Sequence, residues 1–198
     1  MPDDDGLHAD PARPPEVVAR GGPVEDLVAM AERRQPVLML FEQQYHPVVR
    51  FVTFCGASDQ DAQDATQEAF IEALRRADDG RWALVRNPEG WLRRVALHRY
   101  RRMIRRDPAR SRPLTPDEDQ LPASGPGPSD LALGTVDTLC ALRRLPPDCR
   151  VVLAFHLDGF SSVEIATLLD ITPQQARDLL KKARRLLVRD LRTREEDR

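Results

Sequence analysis

The stretch SSVEIATLLDITPQQARDLLKKARRLL, residues 161–187, decides the fold of the C-terminal part of the chain. Ser161 is followed three residues later by Glu164, and Thr172 and Gln175 repeat the same spacing. Ser or Thr with Glu or Gln at this distance forms a capping box, in which each side chain satisfies a backbone N–H of the other residue. The pattern predicts two short, well-capped helices joined by a tight turn, which is a helix-turn-helix.

The second of these helices separates an apolar face from a polar one. Its inward positions are Ala176, Leu179, Leu180, Ala183 and Leu187, and its outward polar positions are Gln174, Gln175, Arg177, Lys181 and Arg184. Amide and guanidinium groups near a helix N-terminus can read base edges in a major groove, whereas Lys182 and Arg185 are better placed for phosphates. Asp178 is the exception on this basic surface, because its charge is negative. It could accept from a cytosine amino group or pair with Lys182 across one turn.

A second basic helix is predicted in NPEGWLRRVALHRYRRMIRR, residues 87–106, where Asn87 and Pro88 supply an N-cap and a first helical position. Its apolar stripe is Leu92, Val95, Ala96, Tyr100 and Met103, and its opposite side carries Arg94, His98, Arg101, Arg102 and Arg105. So much like charge on one face repels itself, and a polyanion would relieve that repulsion while releasing its counterions. We expect this face to bind nucleic acid; a merely soluble Arg-rich helix is the alternative.

Two tryptophans flank the start of that helix. Trp82 lies in the preceding loop, and Trp91 lies near the apolar side of the helix. An aromatic ring beside arginines can stack on a single-stranded base. We expect Trp82 to be exposed for such a role and Trp91 to be a core residue.

Residues 58–80 predict a helix with a small-residue face and an acidic face, capped by Ser58. The apolar face carries Ala62, Ala65, Ala69, Ala73 and Ala77 beside Phe70 and Leu74, and the other face carries Asp61, Asp64, Glu68 and Glu72. Alanines let a neighbouring helix approach closely, which leaves the acidic face for a partner or, alternatively, for solvent. Helical spacing of apolar residues predicts another helix over residues 37–54, with Gly56 as its stop.

Charge is strongly segregated behind a formal total of −2. Residues 1–27 carry a net charge of −5, residues 86–112 carry +8 and residues 177–194 carry +6. Residues 113–130 hold five Pro, two Gly, four acids and no base, a composition typical of extended or disordered segments. With 28 Arg against 2 Lys, the basic set is dominated by the side chain best suited to bidentate phosphate contact.

Helical spacing dominates and strand-like alternation is absent, so we predict an all-α chain of two small helical domains joined by a flexible acidic, Pro-rich linker. The predicted divisions are a disordered acidic tail over 1–25, a first domain over 26–107, the linker over 108–129, a second domain over 130–192 and a C-terminal tail over 193–198.

Several function classes are excluded by composition. No apolar stretch reaches the roughly 18 residues of a membrane helix and the N-terminus is not signal-like, so a cytoplasmic protein without membrane insertion is expected. Cys55, Cys140 and Cys149 fit no zinc or redox spacing and predict reduced thiols, with a Cys149/His156 metal pair as the alternative. We find no nucleotide-binding Gly loop, metal-ligand set or catalytic triad, and expect neither enzymatic activity nor a cofactor.

Taken in order, DAQDATQEAF, NPEGWLRRVALHRYRRMIRR and LRRLPPDCRVVLAFHLDGFSSVEIATLLDIT with QARDLLKKARR resemble the landmarks of the extracytoplasmic-function (ECF) group of bacterial sigma factors. The resemblance spans roughly residues 37–192. It implies a sigma2-like domain followed by a sigma4-like domain. It also implies a protein that binds core RNA polymerase, recognises the minus-10 and minus-35 promoter elements and promotes DNA melting.

The resemblance also implies roles for individual residues. Docking on the clamp helices of the largest polymerase subunit would use Asp61, Asp64, Gln67 and Glu68. Opening and reading the minus-10 element would use Arg81, Trp82, Arg86, Asn87, Arg94, His98, Arg101, Arg102 and Arg105. Binding the minus-35 element would use Arg150, Ser161, Ser162, Gln174, Gln175, Arg177, Lys181, Lys182, Arg184 and Arg185.

Further partners implied by the resemblance are promoter DNA and the flap of the second-largest polymerase subunit, and it leaves room for an anti-sigma factor. The linker would thread the RNA exit path, where its acids would mimic a transcript. Against the family pattern, His98 replaces the usual Asn and Arg102 the usual Asp. Asp170 stands where Gly is common, while Gln175, Asp178 and Leu179 replace the frequent Thr, Ser and Arg. The promoter sequence therefore does not follow from the resemblance.

Two other functions are consistent with parts of this sequence. The main alternative is a stand-alone helix-turn-helix regulator that binds duplex operator DNA as a dimer, without polymerase. A nucleic-acid-processing enzyme would need an acidic metal cluster, which Asp61 and Asp64 supply only superficially.

Overall fold

The computed structural model describes residues 23–107 and 140–196, with side chains in the last helix described up to residue 190. The helices are α1 (Pro23–Phe54), α2 (Asp59–Asp78), α3 (Pro88–Arg106), α4 (Pro147–Leu157), α5 (Ser162–Leu169) and α6 (Pro173–Glu196), with a 3-10 turn at Trp82–Leu84 and a helical end at 140–144. No strand occurs in these two ranges. The all-α prediction is confirmed for the described residues, while residues 1–22, the whole expected linker over 108–129 and the first ten residues of the expected second domain lie outside them.

Local capping forms as the side-chain spacing predicts. The hydroxyl of Ser161 accepts from the backbone N–H of Glu164, whose carboxylate accepts from the Ser161 N–H at 2.9 Å. Thr172 and Gln175 make the same reciprocal pair, with distances of 3.1 and 2.8 Å. These two boxes fix the starts of α5 and α6 and produce the predicted helix-turn-helix.

The first helix begins well before residue 37, where we predicted its start. Pro23 opens α1, and Glu25 and Asp26 lie in its first turn, where negative charge favours a helix N-terminus. Two hydrogen bonds of 2.7 and 2.8 Å from the Arg34 guanidinium to Asp78 tie this early part of α1 to the end of α2. The expected tail over residues 1–25 is therefore too long by the three residues that belong to α1.

The small-residue face of α2 is the centre of the first domain. Ala62, Ala65, Ala69 and Ala73 are fully buried, and α2 packs against both α1 and α3. Phe41 of α1 lies edge-on against Phe70 of α2, with ring centroids 5.0 Å apart. This packing leaves the polar face of α2 turned outward.

The second domain packs α4, α5 and α6 against one another, and it also packs on the first domain. Phe51 of α1 and Phe155 of α4 are both fully buried, and their ring centroids lie 4.5 Å apart. The start of α3 is equally close to α5, because a Cβ added at Gly90 would lie 2.8 Å from Leu168 Cδ1. The two domains therefore share one hydrophobic core, an arrangement we refer to as closed.

Candidate nucleic-acid interface

The basic face of α3 forms as predicted. Its five polar side chains are all exposed, namely Arg94, His98, Arg101, Arg102 and Arg105. Among the described residues, none of the four arginines in this set forms an ion pair with a carboxylate. The opposite side of the helix buries Leu92, Ala96 and Tyr100 in the core. The helix thus presents uncompensated guanidinium groups along one face.

Burial of the loop before α3 contradicts one expectation. Trp82 is only 9% exposed and stands edge-on to Trp91, with ring centroids 5.4 Å apart. Trp91, predicted as core, is half-buried beneath the Arg76 guanidinium, which lies 5.2 Å from its ring centroid. Trp82 is therefore not available as a stacking platform in this arrangement. Leu84 is 79% exposed and is a large apolar side chain that this loop presents to solvent.

The remaining loop residues divide between exposed and capping roles. Arg86 is exposed, and Arg81 is exposed with its guanidinium paired to Asp79. The Asn87 side-chain oxygen accepts from the Gly90 N–H at 2.9 Å and so caps α3. Asn87 thus positions the basic helix, and only its side-chain amide N–H₂ group is left to contact a ligand.

The polar face of α6 is exposed at every position predicted from the sequence: Gln174, Gln175, Arg177, Lys181, Lys182, Arg184 and Arg185. Gln174 donates to Asp178 at 3.0 Å and accepts from the Arg177 guanidinium at 3.0 Å. Asp178 therefore orients Gln174, which in turn holds Arg177. Gln175 uses its carbonyl oxygen in the capping box, so only its N–H₂ group is left for other contacts.

Arg150 and Ser161, expected beside the phosphates of a bound duplex, are occupied within the protein. The Arg150 guanidinium donates to the carbonyl oxygens of Arg143 at 2.8 Å and Leu145 at 2.9 Å. It also packs over Gly56, whose φ of +107° and lack of a Cβ give it room. In the closed arrangement this half-buried group joins backbone segments, and the phosphate contact expected at Arg150 stays a prediction. Ser161 caps α5, and Ser162 is partly exposed.

Three of the four residues of α2 that are expected to dock on polymerase lie on its exposed side. Asp64, Gln67 and Glu68 are exposed, and Glu68 approaches Arg99 of α3 at 3.6 Å. Asp61 is only 8% exposed and accepts from the Ser58 hydroxyl at 2.8 Å, so its placement on the outer face is wrong. The capping spacing from Ser58 was the signal for this inward role.

An apolar residue missed by the sequence analysis completes that face. Ile71 is 47% exposed and follows Asp64, Gln67 and Glu68 on the same side of α2. With Met103, Arg106 and Asp107 from the end of α3, these residues line a shallow groove of about 470 Å³. An apolar centre with a charged rim is the usual anatomy of a protein-binding surface.

The two basic helices meet at one cleft of about 600 Å³. Arg101 of α3 lines it from the first domain. From the second domain its walls include Gln175, Asp178, Lys182 and Arg185, above an apolar floor of Val151, Val152, Leu169, Ile171 and Leu179. Both predicted DNA-binding surfaces therefore contribute to the same narrow opening.

The described residues contain neither a candidate metal site nor a candidate membrane-spanning helix. Over residues 23–107 and 140–196, no group of three or more His, Cys, Asp or Glu side chains could hold a metal ion. Cys55 and Cys149 are buried thiols, and burial raises the pKa of each. No helix in the same ranges combines the length and hydropathy needed to span a membrane.

Comparison with known proteins agrees with this architecture. Residues 40–110 match the family model of sigma-70 region 2, and residues 135–187 match that of sigma-70 region 4. The ECF RNA polymerase sigma factor SigE of Mycolicibacterium smegmatis is 31% identical over 154 residues, which are 75% of this chain and 58% of SigE. SigM of Mycobacterium tuberculosis, another ECF sigma factor, is 28% identical over 155 residues, 76% of this chain and 74% of SigM.

A solved structure supports the fold. CnrH, in complex with the cytosolic domain of CnrY, superimposes with a TM-score of 0.59 at 18% identity, covering 86% of this chain and 96% of CnrH. The two family regions occur in the expected order, each on one of the two helical domains described above. The chain therefore belongs to the sigma-70 family of RNA polymerase sigma factors, in its ECF group.

Proposed function

We propose that this chain binds core RNA polymerase and directs it to promoters by contacting the minus-10 and minus-35 elements, with no covalent chemistry of its own. The observation that carries the proposal is the pair of exposed basic helices, α3 and α6, on two domains that a long segment connects. A stand-alone regulator would need only one of these surfaces. A promoter has two elements, and two surfaces match them.

In this proposal α6 reads the minus-35 element as duplex. Arg177 is held by Gln174 at 3.0 Å near the N-terminus of α6, where a recognition helix contacts base edges. A bidentate contact of this kind contributes about 1–3 kcal/mol of discrimination. Lys181, Lys182 and Arg185 supply positive charge for the flanking phosphates.

The α3 face engages the minus-10 element. Its four arginines, which form no ion pair with a carboxylate of the described residues, attract the DNA backbone. Leu84 beside it is an exposed apolar side chain of the type that can insert between bases. Trp82 would have to leave its pocket against Trp91 in order to stack on a base. We therefore propose Leu84 as a further minus-10 contact, in addition to the residues that the family resemblance implies.

The groove around Ile71 is the proposed docking site for the clamp helices of the largest polymerase subunit. Asp64 and Glu68 supply its acidic rim, and Ile71 its apolar centre. Contact with the flap of the second-largest subunit and binding of an anti-sigma factor stay expectations from the family resemblance. The end of the first domain at residue 107 and a cytoplasmic location also stay predictions.

Reconstitution with purified core polymerase tests the proposal. The wild-type chain should co-purify with core and start transcription on a subset of a promoter library. Asp64→Arg with Gln67→Ala, or Ile71→Asp, should weaken core binding and spare intrinsic DNA contacts, whereas Arg177→Ala with Lys181→Ala should do the reverse. Leu27→Asp, at another exposed apolar position, is the matched control for Ile71→Asp. Tight, polymerase-independent binding to a palindromic operator would instead identify a stand-alone regulator.

A further inference from the structure

Arg93 is a charged residue of α3 that none of the predicted surfaces includes. It is only 4% exposed, whereas the next residue, Arg94, belongs to the exposed basic face. Two acceptors within its own domain orient its guanidinium, namely the side-chain oxygen of Gln44 and the carbonyl of Glu89, each 3.1 Å from Nη1. The first domain therefore supplies two of the hydrogen bonds that orient the Arg93 side chain.

The remaining side of this guanidinium binds a carboxylate from the second domain. Asp158 follows α4, and its side chain, 2% exposed, places Oδ2 2.6 Å from Arg93 Nε. Its other oxygen lies 3.3 Å from Arg50 Nη2 of α1. Phe160 lies under the guanidinium of Arg93, at 5.3 Å from ring centroid to Cζ. Two arginines of the first domain thus hold an anion that the second domain delivers.

Simultaneous contact with both promoter elements is incompatible with this arrangement. Elements centred about 25 base pairs apart are separated by about 85 Å of duplex, at about 3.4 Å per base pair. In the closed arrangement Arg101 and Gln175 line a single cleft. Residues 108–139 reach at most about 110 Å when extended, which is enough to let the domains part. Separation removes Asp158 and Phe160 from Arg93.

Once Asp158 leaves, Arg93 keeps both acceptors that orient it, and Arg50 is already 59% exposed. Two guanidinium groups then converge on an empty site that was shaped around a carboxylate, beside the basic face of α3. Under the proposed function the DNA backbone is the anion that reaches that face, and guanidinium forks match phosphate oxygens as well as carboxylates.

We propose that Arg93 and Arg50, with Gln44 as a positioning residue, form a DNA-phosphate site that Asp158 occupies in the closed arrangement and the promoter backbone occupies after the domains separate. The proposal rests on the proposed function. It adds one phosphate position to those assigned from the sequence.

The test is the salt dependence of promoter binding by reconstituted holoenzyme. Each lost phosphate contact lowers the steepness of log K against log salt by about 0.7–0.9. Arg93→Gln and Arg50→Gln should each reduce the slope by up to that amount, and Arg93→Gln should weaken binding about tenfold or more. Arg93→Lys keeps the charge and should keep the slope while still losing affinity, because it lacks the guanidinium fork. Arg33→Gln, an exposed position on α1, is the control and should change neither quantity.

Two results would overturn the proposal. One is a wild-type slope in both Arg93→Gln and Arg50→Gln holoenzymes; Arg50 is exposed enough that its variant should fold. The other is a loss of affinity for core polymerase without a change of slope, which would place a polymerase carboxylate in the site. Failure of the wild-type chain to direct transcription would instead refute the proposed function.

Discussion

Replacing Asp158 by Asn should open the two domains. The side chains of Asp158 and Arg93 are 2% and 4% exposed, so the change leaves a buried guanidinium without its counter-ion. Removing one partner of a buried ion pair costs about 3–5 kcal/mol. Asn retains one oxygen that can accept from Arg93 Nε, and the contact with the largely exposed Arg50 contributes little.

We therefore expect a cost to the closed state of about 2–3 kcal/mol, below that range because one hydrogen bond of about 1 kcal/mol is kept. At about 1.4 kcal/mol per factor of ten, the ratio of closed to open molecules should fall by about 30- to 140-fold. The contact between Phe51 and Phe155 remains and continues to favour closure.

Distances between paired spin labels measure this ratio. Leu84→Cys and Val188→Cys place one label on each domain at positions that are 79% and 49% exposed. Cys140→Ser removes the partly exposed native thiol, while Cys55 and Cys149 are buried. With Asp158 unchanged, the doubly labelled protein should give one narrow distribution of distances. Asp158→Asn should add a broad population at longer distances. Asp148→Asn, at an exposed acid of α4, should leave the narrow distance unchanged.

A double variant makes the experiment decisive. An apolar pair often replaces a buried ion pair without loss, so Arg93→Met with Asp158→Leu should restore much of the narrow population. The reasoning is refuted if Asp158→Asn keeps the wild-type distance distribution. It is equally refuted if the double variant is as open as the sum of its single changes.

Three further outcomes follow from individual side chains. The hydrogen bond from Arg34 holds the pKa of Asp78 below its ordinary value of 3.8. The stability that this pair contributes is therefore present above pH 3.8 and lost as the pH falls through the lowered pKa. In urea unfolding at different pH values, Asp78→Asn should reduce the loss of unfolding free energy at acid pH. Burial raises the pKa of Tyr100 to about 12, so ultraviolet titration should show a phenol ionising near that pH, and Tyr100→Phe should remove both this step and the loss of stability between pH 10 and 12. Asp170 ends α5 at φ +56°, a conformation that Gly and Asp tolerate better than β-branched residues, so Asp170→Val should lower the free energy of unfolding by about 1–2 kcal/mol while Asp170→Gly should stay near wild type.

Local features of this fold were predictable because their causes are local. The capping pairs Ser161/Glu164 and Thr172/Gln175 act over three residues, and they form as expected. The helical period likewise predicted which side of α3 and α6 faces outward. Asp170 is a similar case, since its left-handed backbone explains why Gly is common at that position in the family.

Long-range contacts account for what the sequence analysis missed. Helical spacing alone could not reveal that Arg93 would be buried, because its partner Asp158 lies 65 residues away in the other domain. Arg150 turned inward for a similar reason, since one of its acceptors is the carbonyl of Cys55. Trp82 was expected to be exposed because it lies in a loop, yet Trp91 covers it. Periodicity assigns faces within a helix and carries no information about how separate helices meet.

The shared core has a consequence for biosynthesis. Phe51 is fully buried against Phe155, which the ribosome adds about a hundred residues later. At about 5–20 residues per second, the nascent first domain waits roughly 5–20 s with this aromatic ring uncovered. We expect chaperones to bind that exposed ring during translation, and slowing elongation between the two phenylalanine codons should prolong this contact in proportion.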